Sequence, residues 1–202
     1  MKKNLIDLLS EEKILPVLRG KNPSKIKDTA MALIDGGIKV LEINIENTGM
    51  FKIIEEISHQ IHVCAGGIIT SIQANAAIES GAEILSSPVF HMNLVKISKN
   101  KTVPYIAGTS TANEAYNAWK ARIPLIKIYP ITAMGGAMYV ENLLRPMPFL
   151  KIMPLGNVKL SEVQNYIDAG AFAVGVGRDF YEGYSLCEIT RRAKNIISEL
   201  KG

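Results

Sequence analysis

The sequence predicts a single α/β domain, a short-form (β/α)8 TIM barrel preceded by one extra N-terminal helix. Two observations carry this reading. Short apolar runs rich in Ile and Val recur eight times at similar intervals, and longer amphipathic segments separate them. No G-x-G-x-x-G follows the first run, which counts against a doubly wound open sheet. Strand followed by helix implies parallel strands joined by right-handed crossovers. Eight such units suit closure into a barrel, and 202 residues are few for it, so the loops must be lean.

The elements follow in order. MKKNLIDLLSEEK (1–13) reads as the extra helix. The eight strand runs are ILPVLRG (14–20), VLEINIE (40–46), HVCAGGI (62–68), EILSSPV (83–89), VPYIAGT (103–109), LIKIYPI (125–131), LKIMPLG (150–156) and AVGVGRD (173–179). Each is too short for an ordinary helix and ends near Gly, Pro, Ser, Thr or Asn, as buried strands do. Between them, SKIKDTAMALIDGG places Ile26, Ala30, Leu33 and Ile34 on one helical face and stops at Gly36-Gly37. TSIQANAAIESGA, STANEAYNAWKARI and LSEVQNYIDAGA repeat the pattern. No linker or low-complexity segment interrupts residues 1–202, which form one domain.

Composition narrows the function classes. The chain is 48% hydrophobic and 21% charged, the balance of an ordinary soluble protein. Its net charge is +4, but the signs are interleaved and aromatics make up only 6%, so no nucleic-acid partner is expected. Cys64 and Cys187 form no CxxC, which fits a reducing compartment and neither a disulfide framework nor structural zinc. The charged N-terminus lacks a signal-peptide core, and no run reaches the ~20 apolar residues of a membrane helix. A cytoplasmic protein without a membrane partner is expected. His59, His62 and His91 offer no ligand spacing, so no metal and no cofactor are expected, which leaves a metal enzyme as the weakest reading.

Barrel active sites form at the C-terminal ends of the strands. The polar residues there are Arg19, Glu42, Asn44, Glu46, Ser86, Ser87, Thr109, Ser110, Lys127, Tyr129, Asn157 and Arg178. Alternation decides where they point: Leu125, Lys127 and Tyr129 share one face, while Ile126 and Ile128 face the helices. The same rule turns Glu42, Asn44 and Glu46 inward and Leu41, Ile43 and Ile45 outward. A lysine and a carboxylate thus converge from different strands. Desolvation disfavours the ammonium form of a buried amine, and a neutral amine attacks carbonyl carbon to give a Schiff base. A nearby carboxylate can then shuttle protons. The other reading of the same pair is an internal ion pair that holds the barrel together. Arg19 and Arg178 either bind a substrate anion or cap the barrel mouth, and Tyr129 reads as a pocket wall.

The chain resembles the 2-keto-3-deoxy-6-phosphogluconate / 4-hydroxy-2-oxoglutarate aldolases, small class I aldolases on a (β/α)8 barrel. The carriers, spread over nearly the whole chain, are ILPVLRG, GGIKVLE, the AGG of HVCAGGI, SSP, and IKIYP followed by GG. The resemblance implies that Lys127 is the Schiff-base lysine and Glu42 the general acid/base. It further implies substrate contacts at Arg19, Gly66, Gly67, Pro88, Tyr129, Gly156, Asn157, Gly177 and Arg178. The implied reaction is reversible cleavage of a 2-keto-4-hydroxy acid to pyruvate and an aldehyde, with a keto acid as the small-molecule partner, no metal, and a homotrimer as the assembly. The chain departs from the family pattern at four places. Cys64-Ala65-Gly66-Gly67 replaces GAGT, Glu46 replaces an arginine, Pro154-Leu155-Gly156-Asn157 replaces P-T-G-G, and Gly177-Arg178 replaces G-G-S or G-S. Glu46 should weaken anion binding, whereas Arg178 brings a guanidinium able to make a bidentate phosphate contact. A degenerate barrel that binds a keto acid or sugar acid without turnover is the competing expectation.

Overall fold

The computed structural model describes residues 5–201. Helix α1 (Leu5–Glu12) precedes eight strand–helix units: β1 (Ile14–Leu18) and α2 (Pro23–Asp35); β2 (Val40–Asn44) and α3 (Gly49–Ile57); β3 (His62–Gly66) and α4 (Ser71–Glu79); β4 (Ile84–Ser86) and α5 (Met92–Lys101). Then come β5 (Tyr105–Thr109) and α6 (Ala112–Lys120); β6 (Leu125–Ile128) and α7 (Ala137–Leu144); β7 (Ile152–Pro154) and α8 (Val163–Asp168); β8 (Val174–Val176) and α9 (Leu186–Lys201). All the strand pairings are parallel, in the order β7-β6-β5-β4-β3-β2-β1-β8. The ends meet where Phe172 N–H donates to the Ile152 carbonyl at 2.8 Å. The barrel of the sequence reading is therefore present, with its extra helix; residues 1–4 of that predicted helix lie outside the described residues.

Local chemistry explains the boundaries. Asn22 caps α2 by accepting from Lys25 N–H, and Pro23 follows where a missing N–H costs nothing. Thr70 with Gln73 and Thr111 with Glu114 form reciprocal capping boxes at the starts of α4 and α6. Gly37, at φ +91°, lets the chain leave α2 in the left-handed region. The strands are shorter than the apolar runs that mark them. In β6, Tyr129 N–H still donates to the Thr109 carbonyl at 2.9 Å, but Pro130 has no N–H with which to continue the ladder.

The barrel separates two apolar layers as alternation demands. Leu41, Ile43, Ile126 and Ile128 join the outer core between strands and helices. Leu15, Val17, Val40, Cys64, Ile84, Ile106, Leu125, Met153 and Ala173 fill the barrel, where Ile6, Leu8 and Leu9 of α1 pack against them. That helix is the plug of the N-terminal mouth. It is tied down by the buried Glu12, whose Oε1 lies 2.7 Å from Lys39 Nζ and 3.6 Å from Lys201 Nζ. One inward step nearer the C-terminal mouth, the apolar residues of β2, β4 and β6 give way to Glu42, Ser86 and Lys127. A layer supplied by alternate strands is the normal packing unit of such a barrel, and here it is polar.

Candidate active site

Lys127 and Glu42 lie inside the barrel, 3% and 1% exposed. Lys127 Nζ stands 2.7 Å from Ser86 Oγ and 3.9 Å from Glu42 Oε1. The hydroxyl is thus the nearer partner and the carboxylate the further one. Ser86 is itself fully buried. Its oxygen can accept from an ammonium or donate to a neutral amine, so this contact survives a change in the protonation of Lys127. On the far side of the carboxylate, the Cys64 thiol donates to Glu42 Oε2 at 3.7 Å. Burial, and next the charge of Glu42, push this thiol well above its ordinary pKa, so Cys64 is a neutral donor. Glu42 is held between Cys64 of the neighbouring β3 and Lys127 of β6, across the barrel.

Glycines make room for this cluster. A side chain at Gly66 would fall inside the Glu42 carboxylate, because Gly66 is the inward residue two after Cys64. One at Gly108 would strike the Pro88 backbone, where the chain leaving β4 crosses β5. The backbone around the lysine is fixed from β5. Thr109 Oγ1 donates to the Lys127 carbonyl at 3.3 Å and Ser110 Oγ to the Tyr129 carbonyl at 2.7 Å. Tyr139 of α7 in turn donates to the Ser110 carbonyl at 2.8 Å.

Above the pair opens a cleft of about 780 Å³ at the C-terminal mouth. Lys127 and Glu42 are not in its lining; they lie under its floor, each two residues before a lining residue, Tyr129 and Asn44. Of the residues expected to touch substrate, Arg19, Tyr129, Gly156, Asn157, Gly177 and Arg178 line this cleft, whereas Gly66, Gly67 and Pro88 do not. Gly66 and Pro88 instead shape the packing around Glu42 and Gly108. Gly67, at φ +69°, makes the turn beside Asn44.

Tyr129 directly follows β6, its N–H still bonded to the Thr109 carbonyl, and it lines the cleft two residues beyond Lys127 as alternation expects. Glu46 lies two residues past β2, where its Oε1 accepts from Arg19 Nε at 2.7 Å. Arg178 Nε is 3.8 Å from Glu182 Oε2. Asp179 Oδ2 accepts from Leu160 N–H at 2.8 Å, and Glu162 Oε2 from Lys159 N–H at 3.1 Å. Tyr181, which nothing in the sequence marks, holds Arg19 by both backbone groups. Its hydroxyl accepts from Arg19 N–H at 3.0 Å and donates to the Arg19 carbonyl at 3.1 Å. The contact of Cys64 with Glu42 could have been found, since parallel pairing sets the two side by side.

The histidines sit elsewhere. His62 faces Glu83 at 3.2 Å, His91 accepts from Asn93 N–H at the start of α5, and His59 is exposed after α3. Among the described residues no three His, Cys, Asp or Glu side chains are grouped to hold a metal ion.

Comparison with known proteins places this geometry. Residues 5–191 match the family model described as "Aldolase: KDPG and KHG aldolase". A 2-dehydro-3-deoxy-phosphogluconate aldolase of Treponema pallidum is 26% identical over 166 residues, 81% of this chain and 79% of that protein. The KHG/KDPG aldolase of Escherichia coli is 25% identical over 202 residues, 96% of this chain and 95% of that protein. Among solved structures, the KDPG aldolase of Legionella pneumophila, with pyruvate captured at low pH as a covalent carbinolamine intermediate, superposes with a TM-score of 0.87. It is 21% identical and covers 97% of this chain and 99% of that one, a likeness of fold.

Proposed function

We propose, for a chain that belongs to the KDPG and KHG aldolase family, that Lys127 and Glu42 carry out class I aldol cleavage in the barrel. The protein is an aldolase, a lyase of keto-deoxy sugar acids, and its relatives are named for 2-dehydro-3-deoxy-phosphogluconate, 2-dehydro-3-deoxy-6-phosphogalactonate and KHG/KDPG cleavage. The observation that carries the residue assignment is a buried lysine 3.9 Å from a buried carboxylate under the floor of an open cleft.

The chemistry follows from that placement. The Lys127 amine attacks the keto carbon, and the carbinolamine loses water to form a protonated imine. The imine draws electrons from the bond between the third and fourth carbons. That bond breaks as the fourth-carbon hydroxyl gives up its proton, and an aldehyde leaves. Glu42 holds and moves the protons, returning one to the enamine carbon so that hydrolysis frees pyruvate and the amine. Ser86 keeps the amine within reach in either protonation state, and the apolar walls of the barrel exclude bulk water from the imine.

The assembly is a homotrimer and the compartment the cytoplasm. Ile69, Ile72, Val89 and Met92, about half exposed or more on the segments after β3 and β4, support an assembly that covers them. Among the described residues no helix is long and apolar enough to cross a membrane. Light scattering should give three times the 22.1 kDa chain mass.

Borohydride reduction in the presence of pyruvate tests the reaction. A reduced pyruvyl adduct should map to Lys127 and be absent from Lys127→Met, which keeps the side-chain volume. An adduct on another lysine, or none, would defeat the assignment.

A further inference from the structure

The charges of the cleft point to the substrate class. Its cations are Arg19, Lys159 and Arg178. Against them stand Glu46, bonded to Arg19, and the lining carboxylates Asp179 and Glu182. With Arg192, paired to Asp179, counted beside Glu46, four positive charges face three carboxylates. Arg19 is taken by Glu46 and Arg178 by Glu182, so the mouth presents a surplus of a single positive charge to an incoming dianion.

The arrangement at the end of β7 and β8 goes further. A barrel of this kind seats phosphate on the loops after these two strands, where backbone N–H groups at a helix start face the ligand. Here the chain's own carboxylates take two of the donors after β7. Leu160 N–H is bonded by Asp179 at 2.8 Å and Lys159 N–H by Glu162 at 3.1 Å. Asp179 is fixed in turn by Arg192, whose Nη2 is 3.5 Å from Oδ2 and donates to the Asp179 carbonyl at 2.8 Å. A phosphate in this corner would have to displace a charge-assisted hydrogen bond while standing beside Asp179 and Glu182.

We infer that the substrate is a 2-keto-3-deoxy acid whose distal end is an uncharged, hydroxylated chain without phosphate, and that Asp179 is a specificity-determining residue. The inference rests on the aldolase reading and names its substrate. Asp179, Glu182, Asn44 and Asn157 offer oxygens that accept from sugar hydroxyls, and Tyr129 and Tyr184 offer ring faces. The carboxylates that repel a phosphate are thus the groups that bind its unphosphorylated counterpart.

The test compares kcat/KM for 2-keto-3-deoxygluconate and for its 6-phosphate in the wild type and in Asp179→Asn. Asparagine retains an acceptor for Leu160 N–H but lacks the charge. The wild type should favour the unphosphorylated acid by about tenfold or more, and the variant should move that ratio toward the phosphate by about tenfold. Equal or better cleavage of the phosphate by the wild type overturns the inference, as does cleavage of neither acid by an enzyme that still forms the pyruvyl adduct. A ratio unmoved in Asp179→Asn overturns the role of Asp179. Failure to form the adduct at all is a different result, because it defeats the aldolase reading on which this one stands.

Discussion

At the scale of single residues, Lys127, Glu42 and Ser86 meet inside the barrel, and alternation brought together only the first two. Lys127 and Glu42 follow from the period of two along β6 and β2. Ser86 was visible as a polar strand end, but its position beside Lys127 depends on the stagger of three strands around the barrel, which a local pattern does not encode. Ser86→Ala removes the nearer partner of the amine while leaving Glu42 in place. Loss of a hydrogen bond to a charged group costs ~1.5–3 kcal/mol, so imine formation should slow by roughly ten- to a hundredfold. Single-turnover borohydride trapping would measure it, and the pH profile of trapping should shift, which a purely structural loss would not produce. Cys64 behaves in the opposite sense to a reactive thiol. Buried beside a carboxylate and held well above the ordinary thiol pKa, it should resist iodoacetamide in the native protein, whereas the exposed Cys187 should be alkylated rapidly. Mass mapping of the labelled cysteines checks this, and early labelling at Cys64 would show that the barrel opens to solvent.

At the scale of elements, the strand runs and the glycine stops of the helices were readable and the ends of strands were not. Tyr129 and Glu46 continue the alternation of β6 and β2 on paper. Each lies past the end of its strand: Tyr129 keeps the direction of the pleat through its bond to the Thr109 carbonyl, whereas Glu46 turns to Arg19. The reverse holds at Gly108 of β5, where no local signal demands glycine. The demand comes from the Pro88 backbone on the connection between β4 and α5. Gly108→Ala must push two backbones apart at the level of Lys127 itself, and overpacking of this kind costs ~1–3 kcal/mol. Chemical denaturation should show that loss together with a fall in kcat, because the same displacement moves Ser86 relative to Lys127. By contrast, Thr111→Ala removes one half of an exposed capping box and should cost ~1 kcal/mol with kcat unchanged.

At the scale of the whole molecule, the barrel is unequal around its circumference. β2 and β3 pair over five residues, from Val40 with His62 to Asn44 with Gly66. β7 and β8 are three residues each, and among the described residues no ladder joins them; the Phe172 to Ile152 bond spans the gap. Local opening costs least where few buried backbone bonds must break. Native-state hydrogen exchange should therefore find the Phe172 amide among the first barrel amides to exchange and those of Ile43 and Val63 among the last. The seam lies directly beneath Leu155, Gly156 and Gly177, so the cleft loops proposed to face the distal end of the substrate stand on the part of the barrel that opens most easily. Alkaline pH probes the opposite wall. Tyr105, fully buried on β5 with its hydroxyl donating to the Val89 carbonyl at 2.8 Å, is pushed by burial from 10.0 to about 12. Its contribution to stability is complete below pH 10 and is lost as pH rises through about 12, because the unfolded chain ionises first. A shift of that size corresponds to about 3 kcal/mol. Tyr139, Tyr166 and Tyr181, also raised by burial, act in the same direction. Unfolding followed by circular dichroism should then coincide with a cooperative rise in phenolate absorbance. In Tyr105→Phe the protein should be weaker at neutral pH by the lost hydrogen bond but less steeply destabilised above pH 10. A gradual phenolate rise that precedes unfolding would mean that β5 admits solvent on its own, and that the wall behind Lys127 is less rigid than its burial implies.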